Sequence, residues 1–223
     1  MNYRSIGLFI ILTMVGALPS RSQTIGAGIN GYVGPWGPGS GTGRIFGESF
    51  TAPATGSPVL SAFSFNDPVF ESNNSLGWDY VTEIYAFDPT SAMTAGGALY
   101  TGPMATVPGS GTSGDSLTPD LALTPGATYI AFATPNGLTQ ANPTADGAFG
   151  VFNPPSYSGG EVYYADTAGG TAYDTYTWNG IPFNATFSAT FVDNAATPEP
   201  STWALLLADL GALAFWRMRL RRA

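Results

Sequence analysis

Between Thr24 and Asn194 no apolar run keeps a helical period for more than two turns before glycine, proline, asparagine or aspartate interrupts it. That punctuation constrains the fold more than any other feature: it suits short strands and tight turns and leaves no stretch for a long helix. The runs "RIFGESFTAP", "PVLSAFSFND", "DYVTEIYAFDP", "GGALYTGP", "TYIAFATP", "GAFGVFNPP", "GEVYYAD", "DTYTWNG" and "FNATFSATFVD" each read as a strand with turn residues at its flanks. In the last, Phe183, Ala185, Phe187, Ala189 and Phe191 alternate with Asn184, Thr186, Ser188 and Thr190, the period-two pattern of a half-buried antiparallel strand. "LALTPGATYIAFATP" reads as strand, Pro125-Gly126 turn, strand. Together these predict an all-β fold, a two-sheet antiparallel β-sandwich of jelly-roll-like form over residues 44–194. Residues 23–43, which include "GPWGPGSGTG", read as a Gly-rich segment ahead of that domain.

Charge narrows the partners. Six of the seven basic residues sit near the ends, and in the middle Arg44 alone stands against thirteen acids from Glu48 to Asp193, so the central domain carries a net charge of −12. Nucleic acid is excluded as a partner, because a polyanion would be repelled with no lysine and one arginine to neutralise phosphates. The absence of cysteine and histidine removes thiol nucleophiles, disulfides, zinc-thiolate sites and the commonest general base at neutral pH.

Both ends read as addresses. Residues 1–22 have one early arginine, an apolar run from Ile6 to Leu18, then Pro19 and small residues, the layout of a secretory signal peptide, with cleavage expected after Ser22. At the other end Trp203 to Trp216 would extend about 21 Å as a helix, short of a hydrocarbon core of about 30 Å. Five leucines nearly balance Asp209 on an insertion scale, so this expected transmembrane helix, residues 203–216, is a marginal span. Residues 217–223 supply Arg217, Arg219, Arg221 and Arg222, which would hold that tail in the cytoplasm and leave the domain outside.

In residues 195–202, Pro198-Glu199-Pro200 precedes the weak helix and the arginine cluster, and that order resembles the PEP-CTERM sorting signal of Gram-negative bacteria. The resemblance implies recognition by a membrane-embedded exosortase, transient residence in the inner membrane, and delivery to the cell surface or exopolysaccharide matrix. "GESFTAP", "LSAFSF", "EIYAFD", "GGALYTG", "LALTPGATYIAFA", "YSGGEVYYAD" and "FNATFSATF" are similar to a β-sandwich domain common in exported PEP-CTERM proteins, a likeness that implies a fold and no particular activity. The loop 136–148 and the N-terminal glycine stretch match nothing in that domain.

Candidate chemistry is sparse. "GAGING" satisfies G-x-G-x-x-G at Gly26–Gly31 but lacks the preceding strand and following helix of a dinucleotide site. Carboxylate-pair hydrolysis would fall to Asp79, Glu83 and Glu161, though with thirteen acids such pairs arise by chance and solvated surface acids are the preferred reading; catalysis is not expected. Calcium needs only oxygen ligands, and the cofactor candidates are Asp67, Glu71 and Asp79, with Asn73, Asn74 and Asp146 nearby, outside EF-hand spacing. A glycan, such as exopolysaccharide, would stack on exposed rings; the candidates are Trp78 with Tyr80, one of Tyr163 and Tyr164, and Trp178 beside Asn179.

Overall fold

The computed structural model describes residues 22–72, 77–109 and 112–194, together with 206–207, 209–211 and 217. The strands are β1 (Ser22–Ala27), β2 (Gly31–Trp36), β3 (Arg44–Thr51), β4 (Pro58–Ser72), β5 (Trp78–Asp88), β6 (Met93–Thr101), β7 (Ala105–Val107), β8 (Thr112–Leu117), β9 (Leu121–Ala122), β10 (Thr128–Thr134), β11 (Gly147–Phe152), β12 (Val162–Asp166), β13 (Asn179–Ile181), β14 (Asn184–Ala185) and β15 (Phe187–Asp193). They form two antiparallel sheets. One runs β1-β15-β4-β11-β14, with β2 pairing β11 and with β8 and β9 pairing β4; the other runs β13-β12-β3-β10-β5-β6, with β7 pairing β5.

The inner faces meet in one core. Phe46 and Phe50 of β3, Trp78, Tyr80 and Ile84 of β5, and Tyr129, Ala131 and Ala133 of β10 face Phe63, Phe65, Phe149, Phe187, Ala189 and Phe191 of the opposite sheet. Register places Phe187 opposite Phe65 and Ala189 opposite Phe63, so cross-strand neighbours on one face are the groups that pack.

The second sheet is covered on its outer face as well. Ile45, Ile130, Phe132, Tyr163 and Ala165 point outward under Tyr173 and Trp178 of the connection after β12, forming a second cluster. Coverage on both faces explains why "TYIAFAT" reads as a continuous apolar run without alternation. It also revises one expected strand: "DTYTWNG" folds as a 3-10 turn at Tyr173–Thr175 followed by the start of β13, because its aromatic rings roof the sheet from outside.

The Gly-rich N-terminal segment belongs to the domain and does not precede it. β1 and β2 are strands of the first sheet, Trp36 is fully buried, and the compact unit runs from Arg21 to Asn194 instead of beginning at residue 44. The physical reason is Trp36, whose ring packs edge-on against Trp78 at 5.5 Å and whose Nε1 donates to the Ala133 carbonyl at 3.2 Å.

The other unit comprises Met1–Ser20 and Ala195–Ala223. Of it, residues 206–207, 209–211 and 217 are described as helical. Among the described residues no helix is long and apolar enough to cross a membrane. The expected signal peptide apart from Ser22, the motif Pro198-Glu199-Pro200, most of the expected span 203–216, and Arg219, Arg221 and Arg222 lie outside the described residues.

Candidate functional site

The aromatic rings proposed as sugar platforms are core. Tyr80 is fully buried, Trp78 and Trp178 are each 2% exposed, and Tyr163 is 6% exposed. Trp78 and Tyr80 fall on the inward phase of β5, whereas Tyr163 and Trp178 fill the outer cluster. Tyr164 is half-buried and carries the Arg44 guanidinium 4.7 Å above its ring, so neither member of the Tyr163–Tyr164 pair offers a bare face.

The candidate acids Asp79 and Glu83 each have a partner of their own. Asp79 accepts a hydrogen bond from Thr106 Oγ1 at 2.6 Å. Glu83 is half-buried further along β5, where burial raises its carboxyl above the ordinary range against a hydrogen bond from Tyr85 that favours the anion. Asp67 and Glu71, expected in a loop, fall within β4, and their side chains lie outside the described residues, as do Asn73 and Asn74. Among the described residues no three acids are grouped to hold a metal ion.

Two features that the sequence did not flag stand out. The first is Glu48, fully buried on β3 between Phe46 and Phe50. Its Oε1 accepts from Asn184 Nδ2 at 2.9 Å and its Oε2 from the Ala185 amide at 2.7 Å, tying the second sheet to β14 of the first. Asn184 Nδ2 also donates to the Gly160 carbonyl at 3.1 Å, and its Oδ1 accepts from the Tyr157 amide at 2.8 Å. Burial holds the Glu48 carboxyl well above its usual range, outweighing the bonds from Ala185 and Asn184; the nearby Glu161 adds to the rise.

The second is a cleft of about 320 Å³ where three loops converge at one end of the sandwich. Pro38, Gly41 and Gly43 come from the β2–β3 loop, Pro135 to Leu138 with Gln140 and Pro143 from the β10–β11 loop, and Ala168 with Gly169 from the loop after β12. The two sequence stretches without a counterpart in the resembled domain thus meet in one place. Side-chain amides fix the walls. Gln140 grips the backbone of Asp79 at both its amide (2.9 Å) and its carbonyl (2.8 Å), and Asn142 Nδ2 donates to the Gly77 carbonyl at 2.8 Å. Asn136 Nδ2 donates to Thr167 Oγ1 at 2.6 Å, and that hydroxyl donates to the Gly43 carbonyl at 2.6 Å, so all three loops are stitched together. Gly43 is needed where it is: it has a φ of 61°, and a Cβ there would strike the Gly169 amide nitrogen. No lining residue is charged.

No protein-family model matches the chain, and no curated protein matches it. Similar solved structures include the cysteine protease and lectin-like domains of Cwp84, a surface layer associated protein of Clostridium difficile, at 14% identity and a TM-score of 0.43, covering 67% of this chain and 32% of that one. A clostridial cysteine protease Cwp84 after propeptide cleavage matches at 12% identity and a TM-score of 0.46, over 76% and 40% of the two chains. The structure of infectious bursal disease virus Gx strain matches at 14% identity and a TM-score of 0.32, over 87% and 42%. The chain therefore spans less than half the length of each of these proteins, and at such TM-scores the likeness says nothing of activity.

Proposed function

We propose that the chain is an exported protein of a Gram-negative bacterium, held transiently in the inner membrane, processed by an exosortase, and placed at the cell surface or in the extracellular matrix as a structural or adhesive component. The order of Pro198-Glu199-Pro200, a marginal apolar span and a cluster of four arginines carries this reading. The position of the sandwich boundary supports it. β15 pairs with β1 on one side and β4 on the other, and the Asn194 amide donates to the Ser57 carbonyl at 3.0 Å, so a cut near Pro198 removes no core strand. On this reading the jelly-roll-like domain is the durable part and the tail is a handle for sorting.

The test is expression of the full chain, tagged between Asn194 and Pro198, in hosts with and without an exosortase. A shorter product in the first host alone, lost when Pro198, Glu199 and Pro200 are all replaced by alanine, is the expected result. Equal masses in both hosts, or a soluble cytosolic product, would sink the proposal.

A further inference from the structure

The geometry points to the three-loop cleft as a binding site for a neutral saccharide, about one sugar residue or a short branch in size, a role that goes beyond sorting and does not depend on it. Its volume of about 320 Å³ lies at the lower end of small-molecule sites, roughly 300–1,000 Å³. Proline rings at Pro38 and Pro143 and the Leu138 side chain offer aliphatic surface, and Gly41, Gly137 and Gly169 beside them are exposed. A pyranose matches that alternation, because its C–H faces pack on aliphatic rings while its hydroxyls both donate to carbonyls and accept from amides.

Charge and shape argue against three competing ligand classes. An anion meets a domain with thirteen acids whose single arginine, Arg44, is already bonded to both oxygens of Asp166 at 2.7 and 2.9 Å. A metal ion finds no carboxylate among the lining residues. An extended peptide would add to a sheet edge, whereas this cleft is walled by loops. The walls are also fixed in advance, since the side chains of Asn136, Gln140 and Asn142 are committed to holding the loops, so a ligand would not have to order them.

The left-handed glycines allow a matched test. Gly41 (φ 76°) and Gly169 (φ 82°) line the cleft, Gly96 (φ 71°) lies on β6, and a Cβ at any of the three would meet nothing within 4 Å. Asparagine tolerates this backbone region better than other side chains, so Gly41→Asn and Gly169→Asn crowd the cleft while Gly96→Asn controls for the backbone effect. The full chain in mild detergent would be run by affinity electrophoresis through gels containing dextran, soluble starch, galactomannan, alginate or polygalacturonate. Retardation by at least one neutral polymer and by neither anionic one is expected, at least tenfold weaker for the two cleft variants and unchanged for Gly96→Asn. No retardation by any neutral polymer, equal retardation by an anionic one, or full binding by both cleft variants would overturn the assignment. If either asparagine variant fails to fold, Pro143→Glu at an exposed rim position replaces it, with the same tenfold loss expected and undiminished binding counting against. Because sorting is read from chain cleavage in cells, failure here leaves that reading standing, and the reverse also holds.

Discussion

Replacing Asn184 by alanine tests whether the buried Glu48–Asn184 link holds the two sheets together. The substitution removes three hydrogen bonds at once, leaving Glu48 Oε1, the Gly160 carbonyl and the Tyr157 amide each short of a partner. An unsatisfied buried polar group costs about 1–3 kcal/mol. Glu48 is fully buried, but Gly160 and Tyr157 are half-buried and water can reach part of the loss, so the sum is about 3–5 kcal/mol, a large share of a domain stability of about 5–15 kcal/mol. The loss depends on pH. The folded Glu48 carboxyl is raised above its unfolded value, so its contribution is full below about 4.5 and is lost as pH rises through the folded value. Without Asn184 the anion keeps only the Ala185 amide, so Asn184→Ala is expected to cost more where Glu48 is ionised than where it is protonated. Urea titrations followed by tryptophan fluorescence across a pH series measure this, with Thr190→Ala, on the exposed Thr24–Thr190 contact, as a control of small effect. A cost below about 1 kcal/mol at every pH, or a cost that never rises with pH, would refute the reasoning.

Glu48→Gln removes the buried charge and is expected to flatten the decline of urea midpoint with rising pH that the parent should show; an unchanged slope would assign that decline to other acids. Trp36→Ala is expected to cost about 3–5 kcal/mol in chemical denaturation, whereas a flexible N-terminal segment would lose nothing, which makes the variant a direct check that β2 belongs to the domain. Burial, with Glu161 nearby in the first case, pushes the Tyr163 and Tyr173 hydroxyls up to about 12, so absorbance at alkaline pH should show these two phenols ionising well after the exposed ones and together with loss of structure. Arg44→Ala breaks an exposed ion pair and should shift stability by less than about 1 kcal/mol in thermal melts, most of it through contact with Tyr164.

How much of this was legible follows from the distance over which each feature is encoded. Strand and turn are local, and "FNATFSATFVD" shows both the reach and the limit of local reading. From Phe187 onward the alternation holds, with Phe187, Ala189 and Phe191 buried and Ser188 and Thr190 half-buried. Three residues earlier it fails: Asn184, placed by pattern on the polar face, is fully buried, because its partner Glu48 lies 136 positions away and no local period records it. The aromatic platforms failed for a related reason. A period-two pattern tells which rings share a face but not whether that face is later covered, and the second sheet is roofed by Tyr173 and Trp178. The cleft was illegible in the same sense, since one of its three walls lies more than ninety residues before the other two and the only local signal is a density of glycine and proline. Glycine followed by a side-chain amide lock yields a fixed cavity as readily as a loose linker, so that density does not distinguish the two. The distinction matters for function. With thirteen acids and one paired arginine, copies of this domain repel one another and repel anionic polymers over most of their surface. A neutral ligand is indifferent to that field, and at the loop end of the sandwich it would meet a concave surface lined by uncharged residues.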